Sequence, residues 1–199
     1  MVKRIIQKLF KDTYIAYSLV SGLVAGILAY LLDVSMLYPV AFILLTNFFD
    51  LLGFGQMMQV MYNVDIDVYL SSLPYYRIIQ KMYNFTLAIL FWSISGSWLI
   101  GLLCVASNWG GMQDILYYLF GRYDTNQSYT WLKWTPYGWY INRKENRGLN
   151  KYEFYIQGIL TFAIVINGAI WEQQIIENLG QQITNTLRTL WTILSRIMM

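Results

Sequence analysis

Tyr14–Leu32 (YIAYSLVSGLVAGILAYLL) carries no charged residue over roughly 20 positions, the length a helix rising ~1.5 Å per residue needs to cross a hydrocarbon core. Only Asp33, Val34 and Ser35 separate it from Met36–Leu52 (MLYPVAFILLTNFFDLL), which is apolar except for Asn47 and Asp50 near its far end. Residues 14–52 therefore read as a transmembrane hairpin, with water the wrong solvent for both arms.

The rest of the chain agrees with that solvent. Of 199 residues, 57% are hydrophobic and 13% charged, with a mean hydropathy of +0.40; an ordinary globular domain has about a quarter of its residues charged. This is the composition of a polytopic membrane protein. The net charge of +3 is spread over small clusters and suggests no nucleic-acid partner. There is no histidine, which removes the usual proton shuttle and the commonest metal and haem ligand together. The single cysteine, Cys104, can make no internal disulfide.

Met1–Thr13 (MVKRIIQKLFKDT) sets Val2, Ile5, Ile6, Leu9 and Phe10 on one helical face and Lys3, Arg4, Lys8 and Lys11 on the other, the pattern of an interfacial helix. Its cations assign the N-terminus to the cytoplasm, or to the matrix in a mitochondrial membrane. In the first span, Ser18, Gly22 and Gly26 form a small-residue stripe that lets another backbone approach, from the second arm or from a neighbouring subunit. Asp50 reads as an interfacial carboxylate within a turn of water. Residues 53–84 are a connecting segment on the cytoplasmic side. There Ser71-Ser72-Leu73-Pro74 reads as a helix break, with Ser72 capping a new helix that carries Arg77 and Lys81 on one face.

Residues 85–106 read as the third span, with a second small-residue ladder at Ser93, Ser97 and Gly101. Residues 107–154 form an aromatic-rich loop that gathers Tyr123, Tyr129, Trp131, Trp134, Tyr137, Trp139 and Tyr140, suited to a membrane interface. Residues 155–171 are the last span, with Gln157 and Asn167 able to hydrogen-bond across helices. Residues 172–199 read as an amphipathic C-terminal helix with Ile183, Leu187, Leu190, Leu194 and Ile197 at heptad-like spacing and Gly180 as a candidate break. The expected fold is an all-α, polytopic helical bundle of about four transmembrane helices, amphipathic at both termini. An even number of spans leaves the Arg143-Lys144-Glu145-Asn146-Arg147 cluster outside, against the positive-inside bias. A further crossing within residues 110–140 would remove the conflict, and charge alone does not choose.

Asp67–Lys81 (DVYLSSLPYYRIIQK), lying after a second span and before a third, resembles the segment between spans two and three of ABC-2-type permeases, the membrane halves of bacterial ABC exporters. In that family a leucine, a proline and a basic residue before a lysine open a short cytoplasmic helix that rests on the ATPase subunit. The resemblance covers residues 1–106 and implies that Asp67, Ser72, Leu73, Pro74, Arg77 and Lys81 contact an ATPase. The family has six spans as a rule, and this sequence lacks a clear fourth and fifth.

No convergent catalytic group or metal-ligand spacing is present, so the chain reads as a non-catalytic subunit without a cofactor. Its expected partners are the lipid bilayer, other membrane subunits and, because it has no Walker motif, an ATP-binding subunit in trans. The expected function is an ABC-2-like permease subunit in a bacterial cell membrane. The alternative is an accessory subunit of a large inner-membrane assembly, such as a mitochondrial respiratory complex or ATP synthase.

Overall fold

The longest uncharged run does become one helix. The computed structural model describes residues 13–53, 59–121, 132–133 and 135–198. Among them are eight helices and no strand. The interfacial helix expected over Met1–Thr13 lies outside the described residues except for Thr13, as do Tyr123, Tyr129, Trp131 and Trp134.

Helices α1 (Thr13–Leu32) and α2 (Leu37–Leu52) pack antiparallel. Asp33 takes a left-handed φ of 52°, and the Val34 N–H donates to the Ala29 carbonyl at 3.0 Å, so the end of α1 is closed by its own turn. Ile15, Ser18, Gly22 and Ala29 are the buried stripe of α1. A Cβ on Gly22 would lie 2.9 Å from the Leu45 side chain, and one on Gly26 3.6 Å from Phe91. Of the two partners open to the small-residue stripe, the structure uses elements of the same chain. Helix α2 is the axis of the molecule: Tyr38, Ala41, Phe42, Ile43, Leu45 and Phe48 are buried around it, as befits a helix apolar on all sides.

After α3 (Gln59–Val64), α4 (Ile66–Ser95) starts at Asp65, whose side chain accepts the Asp67 and Val68 amides. The break expected at Ser72–Pro74 is absent; Pro74 lies inside the helix and Ser72 caps nothing. Proline forfeits its own N–H hydrogen bond and crowds the carbonyl four residues back, a cost the helix carries here with the face that follows held at Tyr76 and Gln80.

The third span expected over residues 85–106 is two helices. Gly96 adopts φ +68°, Ser95 and Ser97 bond across the corner, and α5 (Trp98–Trp109) folds back along α4. Ser93 and Gly101 therefore sit on opposing helices, not on one ladder, and Gly101 faces Trp92, whose Cβ its own Cβ would meet at 3.0 Å. An apolar run reports the solvent of a segment and carries no sign of a reversal within it.

The expected loop at residues 107–154 also holds helices. α6 (Met112–Gly121) continues downward from α5 through a corner at Gly110 and Gly111, the latter at φ +85°. Together α5 and α6 span 98–121, roughly 35 Å of rise. α7 (Pro136–Glu145) is capped by the Thr135 hydroxyl on the Gly138 amide, and Asn146 ends it at φ 50°. Last, α8 (Lys151–Met198) is a single helix of 48 residues, roughly 72 Å long, unbroken at Trp171 or at Gly180. Gly180 is surrounded by open space and is tolerated as an ordinary, if costly, helical glycine.

The contacts fix direction. Ser18 meets Asn47, Asp50 meets Tyr76 and Tyr83, Ala88 meets Gly101, Gly110 meets Thr161, and Ser35 meets Glu172. The described chain thus runs between the two ends of the bundle along α1, α2, α4, the α5–α6 pair and α8, each pass reversing the last. Asn167, expected to bond across helices, donates instead to the Ala163 carbonyl of its own helix at 2.8 Å; Gln157 does cross, to the Gly110 carbonyl at 2.9 Å.

Two helices, α1 and the Lys151–Trp191 part of α8, are long and apolar enough to cross a membrane, and only 22% and 28% of their most apolar windows are buried. α8 begins with a reciprocal cap: the Asn150 amide donates to Glu153 and the Glu153 amide to the Asn150 side chain. Arg147 donates to both Glu153 oxygens at 2.7 Å.

The small-residue contact predicts that Gly22→Val destabilises the protein by about 1–3 kcal/mol through overpacking against Leu45. Gly26→Ala, which meets Phe91 and Ala41 only at ordinary contact distance, should not lower the unfolding midpoint in detergent. Hydrogen bonding from Arg147 holds the Glu153 carboxyl below its ordinary value of 4.5. A depressed carboxyl stabilises the folded chain above its unfolded pKa, and that stability is lost as pH falls through the folded value. Glu153→Gln should therefore lower stability near neutrality and flatten its decline in acid, read by thermal unfolding across pH 3 to 7, about the carboxylate range.

Candidate functional site

Burying a carboxylate without partners costs several kcal/mol, so a buried aspartate must come with donors. Asp50, expected at the interface, is 4% exposed. Its Oδ1 accepts from the Tyr76 hydroxyl at 2.8 Å and from the Tyr83 hydroxyl; Gln80 Nε2 reaches both oxygens, at 2.9 and 3.0 Å; Gln113 Nε2 donates to Oδ2. Tyr76, Gln80 and Tyr83 fall at i, i+4 and i+7 on one face of α4, and Gln113 comes from the first turn of α6. Phe49 stacks on the Tyr83 ring with centroids 4.9 Å apart and shields the cluster. The water access expected of Asp50 is absent because α4 and α6 both close over this end of α2.

A second polar group lies beside it on α2. Asn47 donates to the Ser18 hydroxyl at 2.7 Å, tying α2 to the small-residue stripe of α1. At the other corner Gln157 donates to the Gly110 carbonyl and accepts from the Thr135 hydroxyl and the Tyr137 amide, both at 3.1 Å.

One position further round α4 than the Asp50 donors, Arg77, Lys81 and Asn84 line a cavity of about 520 Å³. Gln80 of α4, Asn108 of α5 and Asp114 of α6 complete its polar wall, and Phe42, Phe85, Val105 and Trp109 its apolar wall. Asp114 is 8% exposed, and its Oδ2, like Asn84 Oδ1, is buried without a hydrogen-bond partner among the described residues. Arg77 and Lys81 are exposed and form no ion pair with a described residue. Arg77, Lys81 and the Asp114 carboxyl thus line one cavity with no ion pair between them.

The residues to which the exporter resemblance assigns ATPase contact are dispersed along α4. Asp67 is exposed in its first turn, Ser72 and Leu73 are half-buried, Pro74 is exposed, and Arg77 and Lys81 face the cavity. Sequence reasoning missed Tyr76, Gln80, Tyr83, Gln113 and Asp114. The tyrosine–glutamine–tyrosine spacing on α4 was the available signal, since two hydroxyls and an amide on one helical face need a common acceptor. No group of three or more His, Cys, Asp or Glu among the described residues could hold a metal ion.

Asp50→Asn replaces one acceptor oxygen by a donor facing other donors and should cost about 1–3 kcal/mol. Tyr83→Phe, which leaves Asp50 its remaining partners, should cost less. Chemical unfolding of the two variants in detergent measures both, and an Asp50→Asn protein as stable as the parent would contradict the network.

Comparison with protein-family models, with curated proteins and with solved structures gives no match to this chain.

Proposed function

We propose that this chain is a non-catalytic integral membrane subunit that receives a polar solute in the cavity between α4, α5 and α6, as an ABC-2-like permease subunit driven by a separate ATPase. The observation that carries the reading is a cavity lined by Arg77, Lys81 and Asp114 between α4, α5 and α6, in a bundle whose outer helices are apolar. A core helix of a soluble protein would be mostly buried; α1 and α8 instead expose Leu31 at 68% and Ile164 at 70%. Lipid is the solvent that satisfies such faces. Ionisable side chains within such a bundle are costly and serve substrate or ion paths by default.

The pass order supports an orientation. The Arg143–Arg147 cluster lies by the start of α8, at the end of the bundle where α1 begins, and the positive-inside bias assigns that end to the cytoplasm in a bacterial cell membrane. An odd number of passes sends the far half of α8 to the opposite side, which reconciles the basic cluster with that bias. In a Cys104→Ser background, single cysteines at Lys144→Cys and Thr186→Cys should react with impermeant label from opposite faces. Labelling of both from one face would overturn the orientation. The ATPase reading is tested by purification in mild detergent, where an ATP-hydrolysing protein should accompany the chain.

One observation favours a second reading, the accessory subunit of a large membrane assembly. Beyond Trp171, α8 projects with Ile176, Ile183, Leu187 and Leu190 each at least half exposed, a face fitted to a partner's helix. Recovery of a many-subunit assembly in place of an ATPase would select that reading and sink the first.

A further inference from the structure

We propose that the cavity between α4, α5 and α6 binds an anionic phospholipid, its phosphate held by Arg77 and Lys81 at the mouth and an acyl chain lying against the apolar wall behind them. The proposal rests on the reading of this cavity as a ligand site in a membrane-spanning bundle and names the class of ligand.

Helix geometry sets the depth of the two cations. Tyr38, in the first turn of α2, packs on Phe91 with ring centroids 5.8 Å apart, so the α4 corner at Gly96 lies at the end of the bundle where α1 turns into α2. Lys81 and Arg77 lie roughly 22 to 29 Å back from that corner along a helix rising ~1.5 Å per residue. A hydrocarbon core is about 30 Å thick, so long side chains at these two positions reach the opposite headgroup layer. Both residues line the cavity and both are exposed, which puts them at its mouth, open to the side of the bundle.

Charge and apolar surface then select the ligand together. Arg77 and Lys81, one turn apart on α4, form no ion pair with a described residue and present two cations to one phosphate. Asp114 is nearly buried on the α6 wall, so the charged groups open at the mouth are the two cations. Beside them Ile78, Met82, Phe85 and Ile89 form an exposed apolar stripe at helical spacing on α4, and Phe85 carries it into the cavity, where Val105 of α5 faces the same space. A soluble anion would use the cations and leave this wall without a partner; a phospholipid uses both. Among phospholipids, a choline or ethanolamine headgroup brings its own cation beside Arg77 and Lys81, whereas a headgroup of net negative charge does not. Basic pockets between membrane spans take anionic headgroups on the same grounds.

The test is titration of the full chain in detergent with phosphatidylglycerol and with phosphatidylcholine, the bound lipid counted by native mass spectrometry. Phosphatidylglycerol should bind roughly tenfold more tightly, the size expected of two basic residues at a membrane surface. Arg77→Gln with Lys81→Gln should bring phosphatidylglycerol down to the affinity of phosphatidylcholine; both residues are exposed, so the fold does not depend on them. Arg143→Gln with Lys144→Gln removes the same charge from exposed positions outside the cavity and should leave the preference intact. Val105→Trp, which narrows the cavity without altering charge, should weaken both lipids several-fold. Equal affinity for the two lipids, an equal loss of preference in the two charge variants, or binding indifferent to Val105→Trp would overturn the proposal. So would displacement of phosphatidylglycerol by glycerol phosphate, which carries the phosphate without the chains and would make the ligand a soluble anion. None of these readouts involves an ATPase or transport, so the lipid assignment can stand where the permease reading falls, and the reverse.

Discussion

A carboxylate with almost no access to water sits near the end of the central helix, and the helices around it are arranged as its solvent. Asp50 takes hydrogen bonds from Tyr76, Gln80 and Tyr83 of α4 and from Gln113 of α6. Removing any one of these elements exposes the others to the full desolvation cost of the group, so α2, α4 and α6 dock together or not at all. An apolar residue at position 50 would permit these helices to slide; a carboxyl acceptor with directional donors fixes their register.

Polar side chains hold the register at other depths as well, and glycines set the spacing. Asn47 with Ser18 pins α1, while Gln157 pins the corner between α5 and α6 to α8 and to the cap of α7. Between these points, Gly22 brings α1 onto Leu45, Gly101 brings α5 onto Trp92, and Gly158 brings α8 onto Ile115, whose Cδ1 would lie 2.3 Å from an added Cβ. Where burial of apolar surface does not drive helices together, close backbone approach and a few well-made polar bonds are the remaining sources of specificity. The same residue types recur at each crossing.

Much of this was legible along the chain and little of it across the chain. The α1–α2 hairpin is readable because an uncharged run and a three-residue turn are local facts, and the Ser18–Gly22–Gly26 stripe because it has a helical period. The reversal at Gly96 was not, since Phe85–Ala106 is equally apolar on both sides of it and length alone fitted one span. Pro74 and Gly180 were read as breaks because propensity counts against them; packing of the α4 face in one case, and continuity of a long helix in the other, overrode it. Asp50 was misread for a different reason. Its environment is made by residues 76, 80, 83 and 113, and neither periodicity nor composition at position 50 records what distant helices will bring.

The cavity and the buried carboxylate are two faces of one helix. On α4 the donors to Asp50 are Tyr76, Gln80 and Tyr83, and the cavity residues are Arg77, Lys81 and Asn84, each one position on and so about 100° further round the helix. Gln80 belongs to both sets. On α6 the pairing repeats: Gln113 donates to Asp50, and its neighbour Asp114 lines the cavity. Rotation of α4 or a tilt of α6 large enough to reshape the cavity must therefore lengthen hydrogen bonds to a buried carboxyl group. The cavity is stiff for that reason. A ligand that draws α4 and α6 together works with the Asp50 network, and one that needs them apart works against it, so the carboxylate sets which shapes the cavity can hold without ever touching what fills it.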